Sequence, residues 1–197
     1  MIINSLERSI QLKICYYGPA LSGKTTSLKS LFNHFGKKDK VNSIENTVGR
    51  TLFFDYGTLI FQNQEWTVKI HVYSTTGQDF YVITRPVTLQ AIDGIIFVAD
   101  SQKEAFERNE ISWKELCSYF GAVIKSLPKV LAFNKQDLPD KFNSNIFLHK
   151  IDYYKFSNID VKKTIAINGE GILDSFEEIL SLIFKNIYKS QLVSVFQ

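Results

Sequence analysis

Cysteine is scarce in this chain, with two among 197 residues, and two cannot build a disulfide framework. Cys15 lies in an apolar strand-like run, and Cys117 shares a helical stripe with Trp113, Phe120 and Ile124. Both therefore read as buried free thiols of a reducing compartment. Long apolar runs are missing as well; none approaches the roughly 18 residues that a membrane span requires. With Ile at residue 2 no myristoylation is expected, and with Val195, Phe196 and Gln197 as the closing residues no prenylation is expected. Met1 to Arg8 does not have the pattern of a secretory signal. The expectation is a cytoplasmic protein with no direct membrane anchor. Charge of one sign is not in large excess either: 23 Lys and Arg against 20 Asp and Glu leave a net charge of +3. The basic cluster Lys37, Lys38 and Lys40 fits a solvated loop better than a nucleic-acid stripe, so no nucleic-acid partner is expected. Three histidines, His34, His71 and His149, are scattered without metal-ligand spacing.

What is present is an ordinary globular composition, 45% apolar and 22% charged. Its length suits one domain, residues 1–197, with a full core. Within it stands Gly18-Pro19-Ala20-Leu21-Ser22-Gly23-Lys24-Thr25, a complete G-x-x-x-x-G-K-T phosphate loop. An apolar run from Ile10 to Tyr17 precedes it, and a helical pattern from Thr25 to Phe35 follows it. The glycines let the backbone curl so that successive N–H groups point inward at a phosphate, and the helix dipole adds positive charge there. Lys24 can reach the β- and γ-phosphates and Thr25 can offer its hydroxyl to Mg²⁺; the adjoining Thr26 is expected among the nucleotide-binding residues. A nucleoside triphosphate site follows.

Further on, the chain alternates strand and helix patterns. Residues 51–62 and 66–73 read as a hairpin, with Val68, Ile70 and Val72 on one face and Thr67, Lys69 and His71 on the other. Ile95 to Asp100 and Val130 to Phe133 read as fully buried strands, and a sixth falls within Ile159 to Ala166. Helices are expected to Gln90, over Phe106 to Ser126, over Asn145 to Ile151, and along a last stripe of Ile172, Phe176, Ile179, Leu180, Ile183 and Ile187. The implied fold is α/β. It has a mostly parallel six-stranded sheet, one antiparallel edge strand and helices on both faces, with ligands at the carboxyl ends of the strands.

One such end carries Asn134-Lys135-Gln136-Asp137. Asp137 can accept from two donors on one base edge, and guanine offers N1–H and N2–H₂ together where adenine does not. The stem of Lys135 could lie along the base plane. This N-K-x-D with the phosphate loop resembles the Ras-like small GTPases, which are P-loop NTPases. Thr164 to Gly169 sits where that family carries its third base-contacting loop, and Ala166 matches the alanine there. The usual serine and lysine neighbours are missing.

Residues 18–26, Arg50 to Asp55, Gly77 to Tyr81 and Asp93 to Ser101 further resemble the bacterial gliding-polarity GTPases, the MglA family. The likeness runs from residue 10 to 187. It implies a cytoplasmic GTP/GDP switch, a Roadblock/LC7-type partner that accelerates hydrolysis, and effectors that read the GTP form. Its switch loops would be residues 37–55 and 74–85. Gln78, after Gly77, matches the residue that orients the attacking water. Thr51 matches the switch threonine that senses Mg²⁺ and the γ-phosphate, and Arg50 an arginine inserted in cis. Ordinary Ras-like proteins start D-x-x-G with Asp, whereas this chain has Ser74-Thr75-Thr76-Gly77, a loss shared with the MglA family. Asp55 could supply that charge from the neighbouring strand, or could be a plain surface residue. Asp100 is by the resemblance structural, at the base of its loop. Ala20 stands where the family usually has Gly, and its methyl could crowd Gln78 or an arginine finger. Two rivals remain: a GTP-locked scaffold with little turnover, and a small-molecule kinase using the same loop.

Overall fold

Strand and helix patterning resolves into a sheet with helices on both faces. A computed structural model describes residues 1–37, 54–75 and 88–195. The strands are β1 (Ile2–Asn4), β2 (Ser9–Tyr17), β3 (Phe54–Gln62), β4 (Thr67–Thr75), β5 (Gly94–Asp100), β6 (Lys129–Asn134) and β7 (Ile159–Lys163). The helices are α1 (Lys24–His34), α2 (Phe106–Phe120), α3 (Ser144–Lys150) and α4 (Ile172–Val195). Sheet order is β3-β4-β2-β5-β6-β7. Neighbours along it are parallel except for the antiparallel β3–β4 hairpin. The short β1 adds an antiparallel pairing to Ser9–Gln11 at the start of β2.

Because side chains alternate across a strand, each central strand feeds two cores. Leu12, Ile14, Tyr16, Ile96, Val98, Val130 and Ala132 face Leu28, Leu31 and Phe32 of α1 and Phe176, Ile179 and Ile183 of α4. Cys15, Tyr17, Ile95, Phe97, Leu131 and Phe133 face Trp113 and Leu116 of α2 and Phe147 of α3. Being covered on both sides, β5 and β6 are buried along their whole length, which is why they read as continuous apolar runs. Burial pushes the Cys15 thiol up to about 12 and raises that of Cys117. Both cysteines are free.

Helix ends have local causes. Gly36 adopts φ 64°, its N–H donating to Asn33 O at 3.0 Å while Lys37 N–H donates to Phe32 O at 2.8 Å; this double closure is the left-handed stop of α1. The helix expected to reach Ser126 stops earlier. Gly121 at φ 56° ends α2, and a 3₁₀ turn, Gly121–Lys125, continues the chain with Ile124 still buried. The β3–β4 turn is held by Asn63 Oδ1, which accepts from Glu65 N at 2.9 Å and Trp66 N at 2.6 Å. As expected, Ile70 and Val72 are buried and Thr67, Lys69 and His71 are half-buried. Most of the helix read up to Gln90 lies outside the described residues.

Gly57 fixes how closely the hairpin sits on α1. A Cβ there would stand 2.4 Å from Phe32 Cζ and 2.6 Å from Cε1, and Phe32 is fully buried. Gly57→Ala is therefore expected to destabilise the fold by about 1–3 kcal/mol, the usual cost of overpacking. Urea denaturation should show a lowered midpoint at unchanged slope; an unshifted midpoint would mean that the Phe32 ring swings aside freely.

Candidate functional site

The phosphate loop joins β2 to α1 at the carboxyl end of the sheet. Gly18 and Gly23 take φ 144° and 101°. A Cβ on Gly18 would lie 2.3 Å from Val98 O, and one on Gly23 2.2 Å from Asn134 Nδ2, so space as well as backbone conformation demands glycine at both. Pro19 is buried, Ala20 half-buried, and Leu21, at φ 61°, points outward with 56% exposure. Lys24 is buried, and its Nζ donates to Gly18 O at 2.9 Å and Pro19 O at 2.6 Å. The loop thus wraps its own cation. The 11-residue α1 has no acidic residue in its first turn and no side-chain cap, so nothing in the helix's own sequence offsets the positive end of its dipole. Ser22 Oγ is buried there with no hydrogen-bond partner.

Strand β3 brings in the carboxylate. Asp55 is fully buried, not a surface residue, and Thr25 Oγ1 donates to its Oδ2 at 2.6 Å. Across the hairpin Asp55 pairs with Ser74, whose Oγ is buried and unpartnered. Two hard oxygens on adjoining elements, with the orphaned Ser74 hydroxyl across the hairpin, suit a small oxygen-liganded cation. Among the described residues no cluster of three or more His, Cys, Asp or Glu side chains could hold a metal.

The N-K-x-D segment divides its labour. Asn134 Nδ2 donates to Ser22 O at 2.8 Å, and its Oδ1 accepts from Thr164 Oγ1 at 3.1 Å and from Ala166 N at 3.0 Å. One carboxamide thereby joins the phosphate loop, the end of β6 and the turn after β7. Lys135, at φ 64°, pairs its Nζ with Asp100 Oδ2 at 2.6 Å. Asp137 exposes a carboxylate with no partner among the described residues. Ala166 is buried and Thr26 exposed. Arg50, Thr51, Gly77 and Gln78 lie outside the described residues, as do most of 37–55 and 74–85.

Sequence reasoning did not find the Asn134 strut, nor Asn109, a fully buried side chain of α2 bonded to Asp100. The signal for Asn109 was there: it interrupts an apolar stripe, three residues after Phe106 and four before Trp113.

Over residues 1–183 the chain matches the ADP-ribosylation factor (Arf) family. It is also 33% identical over 193 residues to the mutual gliding-motility protein MglA of Myxococcus xanthus, covering 95% of this chain and 97% of that protein. This chain belongs to the Arf/Ras superfamily of small GTPases. A more distant likeness is to the Ras-related protein Rab-5B of Plasmodium falciparum, 25% identical over 179 residues, 88% of this chain and 78% of that one. As an MglA homologue of the Arf/Ras type, the small GTPase binds guanine nucleotide and hydrolyses GTP. No helix among the described residues is long and apolar enough to cross a membrane.

Proposed function

We propose that residues 1–197 form a single G domain that works as a GTP/GDP switch in the cytoplasm. The observation that carries this reading is the Thr25–Asp55 hydrogen bond at 2.6 Å: it ties the phosphate loop to the strand that leads out of the 37–55 segment. Groups that meet the γ-phosphate at the loop can thereby bias that segment, as a switch requires.

In this reading Lys24 leaves its two loop carbonyls and, with the backbone amides of Pro19 to Thr25, binds the phosphates. Asp137 accepts from the two guanine donors, the Lys135 stem walls the base, and Ala166 closes its far side. Thr25 and Thr51 would hold Mg²⁺, with Asp55 as the supporting carboxylate; the ion would neutralise charge on the phosphate oxygens. The orphaned Ser74 Oγ, where ordinary Ras-like proteins carry Asp, supports Asp55 as the replacement. Gln78 orients the attacking water, and Arg50 stabilises charge as the bond breaks. A Roadblock/LC7-type protein accelerates hydrolysis, and effectors read residues 37–55 and 74–85.

Single-turnover hydrolysis of GTP, with and without such a partner, tests the reading. Mg²⁺-dependent conversion to GDP, faster with the partner, is expected. GTP that stays bound and intact under both conditions would mark the GTP-locked scaffold instead, the reading that the Ala20 methyl favours. For the metal, Asp55→Ala is expected to raise the Mg²⁺ concentration for half-maximal GTP affinity by about tenfold, the worth of one hydrogen bond to a charged group. An unchanged Mg²⁺ titration would remove Asp55 from the site.

A further inference from the structure

β5 runs past its neighbour. Its pairing with β2 ends at Phe97 and Tyr17, yet the strand continues to Asp100. On the β6 side the ladder holds to Asp100 and Asn134, but on the other side no strand among the described residues lies beside Asp100. A backbone N–H and C=O that are buried there need partners. The side chain of Asn109 supplies both: its Oδ1 accepts from Asp100 N at 3.0 Å and its Nδ2 donates to Asp100 O at 2.8 Å. A carboxamide is a peptide group in miniature, so Asn109 acts as a one-residue strand. It is fully buried and anchored on the first turns of α2.

Clamped in this way, Asp100 presents its carboxylate at a fixed place. Oδ1 accepts from Gln102 N at 3.1 Å, and Oδ2 takes the Lys135 ammonium at 2.6 Å. Asp100 is 2% exposed and the Lys135 side chain 26%, so the acid is set in the fold and the lysine reaches down to it. The lysine needs that hold. It occupies left-handed backbone space at φ 64°, where a long side chain is disfavoured, and its long stem has many rotamers to lose.

We infer that Asn109 is a positioning residue for guanine: through Asp100 it fixes the stem of Lys135, and so sets how long the nucleotide stays bound. This rests on the proposed placement of the base against Lys135 and Asp137. It also makes the start of α2 a handle on the nucleotide that touches neither the phosphate loop nor Asp137.

A double-mutant cycle on the full chain tests it, read as the dissociation rate of a fluorescent GDP together with the urea midpoint of the nucleotide-free protein. Asn109→Ala is expected to speed GDP dissociation by about tenfold, the scale of a lost buried hydrogen-bond pair. In a Lys135→Ala background the same change should add nothing, because its route is gone. Equal acceleration in both backgrounds would overturn the inference and leave Asn109 a fold residue only. If Asn109→Ala does not fold, Asp100→Asn replaces it: both Asn109 bonds are kept and the ion pair is lost. The same acceleration, again absent with Lys135→Ala, is expected, and an unchanged rate overturns the inference. Preference of the wild type for GDP over ADP is measured alongside. Its absence would defeat the base placement itself, whereas a clear preference with an additive cycle would defeat only the Asn109 route.

Discussion

Asp137→Asn should exchange guanine for xanthine as the preferred base. Asp137 is exposed at the strand end with no partner among the described residues, so its two oxygens are free to accept. Guanine meets them with N1–H and N2–H₂. Asparagine keeps one acceptor and turns a donor toward N2–H₂, which faces donor with donor; xanthine, which carries O2 instead, restores the match. A bidentate base contact discriminates by about 1–3 kcal/mol. The variant should therefore lose about 10- to 100-fold in GTP affinity and gain for xanthosine triphosphate. Competition against a fluorescent guanine nucleotide measures both. Should the wild type bind ATP as tightly as GTP, the assignment of Asp137 is wrong.

A larger effect is expected at Arg50. It directly precedes Thr51 in the sequence, and a strand shift that seats Thr51 at the γ-phosphate could carry the guanidinium to the bridging oxygen. Charge grows there as the bond breaks, so a planar cation stabilises the transition state more than the ground state. Arginines in this role are worth about 10³ to 10⁵ in rate. Arg50→Ala should cut the partner-stimulated rate by about 10³ and leave GTP affinity within a few-fold, as befits an interaction made only in the transition state. Survival of the stimulated rate would mean that the partner donates its own group. Ala20→Gly should raise the rate if the methyl obstructs the approach.

Much of this molecule was legible because its signals are local. Glycines at 18 and 23 serve tight backbone turns, and the apolar runs of β5 and β6 are long because helices cover both faces. Asn134 and Asp137 stand out in the sequence as an N-K-x-D segment at the end of a buried strand, three strands after the phosphate loop. What escaped depends on distant contacts. β1 is three residues long with Ile2 and Ile3 exposed, so it carries no burial pattern. The early stop of α2 turns on one positive φ at Gly121, while the apolar stripe continues beyond it through the 3₁₀ turn. The Thr25–Asp55 bond spans 30 residues and the Asn134–Ser22 bond 112, and no periodicity reports contacts of that separation. Sequence reading assigned Asn134 to the base motif; its carboxamide is bonded to the phosphate loop and to the turn after β7.

That arrangement has a consequence for how the protein opens. Proteins open in cooperative units, and the Asn134 carboxamide bonds Ser22, Thr164 and Ala166 at once. The phosphate loop and the turn after β7 are therefore expected to open as one unit, although 142 residues separate Ser22 from Thr164 in the numbering. Loosening at the base end is then expected to reach the phosphate end in the same opening event, and the Ala166 amide, buried and bonded to Asn134 Oδ1, is the probe whose hydrogen exchange would report on both.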